Sequence, residues 1–122
     1  MPIAYINSTG RTNNSTVSTM SMATHSSREG GETFIVGVHG EPSTWAVSTM
    51  TDNAGNTYLR AIASTGQNFH VELWYATNIS SASTRISITK NVSTSSSNTR
   101  LGLGHFRGIS TANALDVTGS SF

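Results

Sequence analysis

The groups in this 122-residue chain able to do chemistry are four histidines, six acidic residues and 38 hydroxyl side chains, 20 Ser and 18 Thr. Nucleophilic catalysis needs a Ser or Thr, a His and an orienting acid brought together. With so many hydroxyls that combination arises from composition alone, and no Gly-x-Ser-x-Gly turn marks one of them. His25, His39, His70 and His105 are far apart in sequence and lack the close spacing of a metal site built on one element, although separate strands can bring such residues together. Glu29 and Glu32 flank the Gly30-Gly31 turn, where solvation is expected rather than the facing carboxylates of a glycosidase. The run Asp52-Asn53-Ala54-Gly55-Asn56 has the oxygen-rich look of a calcium loop. Hard cations usually take more than one carboxylate, and here there is a single Asp, so a capped turn is expected. With no cysteine there is no thiolate nucleophile, zinc-thiolate site or disulfide. No catalytic residue, metal or cofactor is expected.

The aromatic residues Trp45, Trp74 and Tyr75 offer a different chemistry, the stacking of a sugar ring on an exposed indole. Trp74 and Tyr75 are neighbours in one expected strand and must point to opposite sides, which sends one of them into a core. Core packing of most of the aromatics is the plainer expectation, and Trp45 or Trp74 would stack the glycan in a carbohydrate-binding alternative.

The elements that must position these groups follow from composition. Ser, Thr, Asn and Gly make up about half of the chain, while charged residues are only 11% and hydrophobic residues 35%. Short runs of Val, Ile, Thr, Tyr, Phe and Trp favour strands, and one Lys, four Glu and no run of Ala or Leu speak against a helical bundle. Low hydrophobicity without high net charge is not the signature of disorder. Net charge is +1, with the basic residues dispersed. There is no basic stripe for nucleic acid and no polybasic patch for a membrane. No apolar run approaches the length of a membrane span, and the start, Met1-Pro2-Ile3-Ala4-Tyr5, lacks the basic and apolar regions of a signal peptide. Synthesis in a cytoplasm is the expectation, and the five Asn-x-Ser/Thr sequons (Asn7, Asn13, Asn14, Asn78, Asn91) carry little meaning there.

Eight strand-like runs recur between turn clusters: 3–7, 16–24, 33–40, 44–51, 57–64, 69–77, 84–89 and 99–106. Phe34, Val36 and Val38 share one face of the third. The sixth puts Phe69, Val71, Leu73 and Tyr75 on one face and His70, Glu72 and Trp74 on the other. Ile86 and Ile88 share a face of the seventh. Period-two alternation over many short strands predicts an all-β, antiparallel sandwich of about eight strands. Pro42 ends the third run, and 52–56, between two alternating runs, reads as a hairpin loop. No linker or repeat divides the chain, so residues 1–122 are one domain, with 1–14 and 108–122 as arms or terminal strands.

Four pieces follow in order from the middle of the chain: Val47-Ser48-Thr49-Met50-Thr51-Asp52-Asn53-Ala54-Gly55-Asn56-Thr57-Tyr58, Val71-Glu72-Leu73-Trp74-Tyr75-Ala76-Thr77-Asn78, 84–89 and 108–118, with 31–40 fitting upstream. On these pieces the sequence resembles a broad group of β-sandwich domains found in bacterial surface proteins and phage structural proteins. The resemblance covers about residues 30 to 118 and implies a jelly-roll-like antiparallel sandwich without catalytic residues. Relatives are often modules within longer chains, whereas this chain starts at its own Met1.

The function expected is that of a non-enzymatic bacteriophage virion protein, a capsid decoration (cement) protein bridging major capsid subunits on the outer shell. A charge-poor, Ser/Thr-rich exterior suits a surface covered by neighbours, since a dispersed monomer usually carries more charge. Self-association on the capsid, as a trimer for instance, would add avidity. The terminal segments 2–14 and 111–122 would dock through isolated apolar anchors, Ile3 and Tyr5 at one end and Leu115, Val117 and Phe122 at the other. The alternatives are a carbohydrate-binding or adhesin module and a tail or baseplate component.

Overall fold

A computed structural model of the chain describes residues 3–13, 19–24, 30–41, 44–83, 85–91, 99–110 and 115. Eight strands and no helix occur among them: β1 (Ala4–Asn13), β2 (Thr19–Ala23), β3 (Glu32–Gly40), β4 (Val47–Asp52), β5 (Leu59–Thr65), β6 (His70–Ile79), β7 (Arg85–Lys90) and β8 (Thr99–Arg107). They form a five-stranded sheet in the order β1-β8-β3-β6-β5 and a three-stranded sheet in the order β2-β7-β4. Every pairing is antiparallel. The two sheets pack face to face over one core, so the chain is an all-β sandwich.

The pairings β1·β8, β2·β7 and β3·β6 are nested, as in a long hairpin rolled over itself, which is the jelly-roll pattern. The fourth nested pairing, β4·β5, is absent. β4 stays beside β7 and β5 joins β6. Residues 53–58 therefore carry the chain from one sheet to the other, and the hairpin reading of 52–56 is corrected to a crossover turn. Alternation in the flanking runs was real, but pairing between them was not.

The core takes the inward residues of both sheets. Phe34, Val36 and Val38 of β3, Ile86 and Ile88 of β7, Met20 and Met22 of β2, and Leu101 and Leu103 of β8 are all buried, with Trp45 and Val47 between them. Each buried aliphatic or aromatic side chain contributes roughly 1.5–3 kcal/mol over its exposed state. At the entry to β3, Gly30 and Gly31 sit at φ +86° and +72°, a conformation other residues resist, and the Gly31 N–H donates to the Ile79 carbonyl at 2.9 Å.

Strand β1 runs to Asn13, well past the expected end at Asn7. Ser8 to Asn13 lack apolar alternation because β1 is an edge strand and Gly10 sits opposite Gly102. Residues 4–13 are thus the outer strand of their own sheet rather than a free arm. Of the expected C-terminal arm, Ile109 and Leu115 lie against the chain's own five-stranded sheet. Val117 and Phe122 lie outside the described residues.

Candidate functional site

Strand β6 decides the character of the molecule's surface. His70, Glu72, Trp74 and Ala76 turn inward and are buried, while Val71 and Leu73 turn out at 39% and 41% exposure. The more polar set is in the core and the apolar set faces solvent, the reverse of what burial of apolar surface alone favours.

The inward set is held by one carboxylate. Glu72, fully buried, accepts from the Val47 N–H at 2.6 Å and from His70 Nε2 at 3.0 Å through Oε2. Through Oε1 it accepts from Trp74 Nε1 at 3.1 Å and from Arg60 at 3.4 Å. Val47 belongs to β4, so this contact ties the two sheets together across the core. His70 Nδ1 meets Thr65 Oγ1 at 2.9 Å, and its ring packs edge-on against Trp45 with centroids 5.1 Å apart. Thr65, His70 and Glu72 thereby make the hydroxyl–imidazole–carboxylate sequence of a nucleophilic relay. The carboxylate, however, is divided among four donors, and neither Thr65 nor His70 lines the two surface cavities described below. The arrangement does the work of a tie between sheets. At the opposite end of the core, Glu32 pairs with His105, which packs edge-on against Phe34 at 4.8 Å. Lys90 is buried over the Trp45 ring and contacts Thr99 Oγ1 at 3.3 Å. Burial lowers its ammonium below the ordinary lysine value.

Asp52 closes the crossover turn. Its Oδ1 accepts from the N–H groups of Ala54 (2.9 Å) and Asn56 (3.1 Å), and its Oδ2 from Asn56 Nδ2 (2.7 Å), Tyr58 OH (2.9 Å) and Ser83 Oγ (3.0 Å). Burial pushes this carboxyl upward, but the hydrogen bonds from Asn56, Ala54 and Tyr58 outweigh it and hold Asp52 below the usual Asp value. Both oxygens are filled by protein donors, as a capped turn requires and a cation site would not. No group of three or more His, Cys, Asp or Glu suited to a metal ion occurs among the described residues.

Both tryptophans named as stacking platforms are interior, Trp45 at 1% and Trp74 at 9% exposure, so neither presents a ring face to a sugar. Of the histidines, His70 and His105 are buried, His39 is exposed, and His25 lies outside the described residues.

Among the described residues, the outer surfaces of the two sheets differ sharply. The three-stranded sheet turns out Thr19, Ser21 and Ala23 from β2, Arg85, Ser87 and Thr89 from β7, and Thr49 and Thr51 from β4, all in cross-strand register. It is a hydroxyl surface. The five-stranded sheet turns out apolar residues and glycine instead. One cross-strand row runs Ser8, Gly104, Ile35, Tyr75, Leu59, and the next runs Gly10, Gly102, Gly37, Leu73, Ile62. A third runs Arg100, His39, Val71, Ser64. Tyr5 stacks edge-on against Phe106 at one corner, with centroids 5.7 Å apart. Leu59 and Phe69 are about half exposed.

Where the glycines of three adjacent strands line up, the surface sinks into a trough of about 410 Å³, flanked by His39 and Arg100 and closed by Val71 and Leu73. Neither Gly37 nor Gly102 has positive φ, and a Cβ built on either meets nothing within 4 Å. Glycine weakens a strand interior and is typical where another backbone approaches closely. No internal packing accounts for these two. A second, smaller cavity of about 110 Å³ lies where Ile109 and Leu115 approach Ile35, Leu73 and Tyr75. Of the expected terminal anchors, Ile3, Tyr5 and Leu115 are all exposed, at 44% or more.

Sequence reasoning placed Phe69, Val71, Leu73 and Tyr75 on a common face but had no means of telling which face was inward. The signal was present in Gly37, Gly102 and Gly104, which interrupt otherwise good strands at alternate positions. No protein-family model, curated protein or solved structure matches the chain. No helix among the described residues is long and apolar enough to cross a membrane.

Proposed function

We propose that this chain is a non-enzymatic structural protein of a bacteriophage virion, a decoration (cement) protein that docks through the outer face of its five-stranded sheet. The observation that carries the reading is the contrast between the two outer faces, one built of hydroxyl side chains and the other of Leu59, Val71, Leu73, Tyr75 and glycine. Contiguous exposed apolar surface on a small domain marks a contact with another molecule. Such a protein acts passively. Each copy that binds only assembled subunits stabilises the assembly by mass action, and repetition over equivalent sites, with self-association such as a trimer, multiplies modest affinities. Synthesis would be in the host cytoplasm and residence on the outer capsid, with the major capsid protein as partner.

The virion assignment draws on the resemblance of 31–40, 47–58, 71–78, 84–89 and 108–118 to β-sandwich domains of bacterial surface proteins and phage structural proteins, and the docking assignment on the apolar face. Burial of Trp45 and Trp74 removes the stacking surface of the carbohydrate-binding alternative. The test is cosedimentation with decoration-stripped shells of the source phage, with unassembled subunits as control. Saturable binding to shells alone is expected, and failure to pellet with shells overturns the reading.

A further inference from the structure

We infer that the occupant of this face is an extended polypeptide segment of a protein partner, carrying a carboxylate among apolar side chains. The inference rests on the docking reading above and adds the chemistry of the partner.

Charge sets the first condition. Among the described strand residues of the face, Arg100 is the fixed charge, with His39 directly across from it, and none is acidic. Glu32 is buried, Glu72 lines the trough with its side chain wholly buried, and Glu41 lies past the end of β3. A guanidinium at the wall of a concave, partly apolar site attracts a carboxylate and discriminates against a cation. From the described strand residues of this face, a second copy applied face to face would bring Arg100 no acidic group.

Shape sets the second condition. On β3, β6 and β8 the rows on either side of the glycine row are four residues apart, roughly 14 Å at about 3.4 Å per residue. His39, Arg100 and Val71 wall the trough on one side, while on β8 the other side carries only Gly104. With nothing within 4 Å above Gly37 and Gly102, the backbone of an extended segment can approach this floor closely. The floor is bare backbone at Gly102 and Gly37, and Leu73 and Val71 meet the segment at the closed end.

The experiment uses the full chain, labelled with ¹⁵N, and three synthetic 12-residue peptides that share one alternating Val pattern. Their remaining positions are all Glu, all Gln or all Lys. Amide shifts are followed at Gly37, Gly102, Leu73 and Arg100, with Ser87 and Thr89 reporting the opposite face. The Glu peptide is expected to bind about fivefold more tightly than the Gln peptide at low salt, the size of one favourable exposed charge contact. That advantage should fall to within twofold in about 1 M salt, where the Debye length is about 3 Å. Arg100→Glu should reverse the order and favour the Lys peptide. Equal binding of the Glu and Gln peptides on this face overturns the acidic partner and leaves the docking face standing. Shifts confined to the opposite sheet, or no binding by any peptide, overturn both.

Discussion

Replacing Glu72 by Gln tests the tie between the sheets with almost no change of shape. The carboxylate serves four donors: the Val47 N–H, His70 Nε2, Trp74 Nε1 and Arg60. An amide keeps one acceptor oxygen. Its best placement leaves that oxygen toward Trp74 and Arg60 and turns the NH₂ toward His70, which accepts after changing tautomer and then donates from Nδ1 to Thr65. The Val47 N–H is left facing another donor. A buried donor without a partner costs about 1–3 kcal/mol, and loss of the charge-assisted character at Trp74 adds about 1 kcal/mol. The Arg60 contact adds little, because that side chain is half exposed. The expected destabilisation is about 2–4 kcal/mol. At roughly 0.26 kcal/mol/K of unfolding entropy for a chain this long, Tm falls by roughly 8–15 °C. Urea unfolding followed by tryptophan fluorescence reads this directly, since Trp45 and Trp74 both lie beside the site. A Glu72→Gln variant within 1 kcal/mol of the parent protein would refute the view that this carboxylate fastens β6 to β4.

Other outcomes follow from the same geometry. Gly37→Val and Gly102→Val should leave unfolding midpoints unchanged or raised, since no neighbour is displaced and valine favours strands, while abolishing binding at the trough in the cosedimentation assay. Gly104→Ala should instead destabilise by about 1–2 kcal/mol in urea, because its Cβ would stand 2.9 Å from the Phe106 ring. Trp45→Ala should cost about 3–5 kcal/mol by the same measurement, as for other large buried aromatics. Asp52 is held below its unfolded value, so its contribution is complete above about pH 4 and is lost as pH falls through the lower, folded value. Asp52→Asn should remove that part of the acid dependence in urea titrations between about pH 2 and 5.

Much of the fold was legible because β-strand periodicity is a local property. Phe34-Val36-Val38 and Ile86-Ile88 marked their inward faces without help from the rest of the chain, and all five are buried. The path from Asp52 to Leu59 was not legible, because the same turn residues serve a hairpin and a crossover, and only the partner of β5 decides between them. β6 was ambiguous for a related reason. His70, Glu72 and Trp74 look like a solvent face until the Val47 N–H, Thr65 and Arg60 come from other elements to satisfy them. Once that polar set is inside, Val71, Leu73 and Tyr75 must face out. The candidate site was therefore hidden in the sequence by the network that creates it. The hydroxyl-rich composition is likewise resolved in space: the Ser and Thr residues of β2, β4 and β7 line up on the outer face of one sheet.

The most direct test of the docking face compares three proteins for binding to decoration-stripped shells: the parent chain, Leu73→Asp, and Thr89→Lys on the hydroxyl face as the control. Leu73 is 41% exposed on its sheet, and Thr89 lies on the central strand of the other. The parent chain and Thr89→Lys should bind with the same affinity, and Leu73→Asp should lose binding at least tenfold while unfolding at the parent's urea midpoint. Undiminished binding by Leu73→Asp together with loss in Thr89→Lys would contradict the assignment and move the contact to the three-stranded sheet.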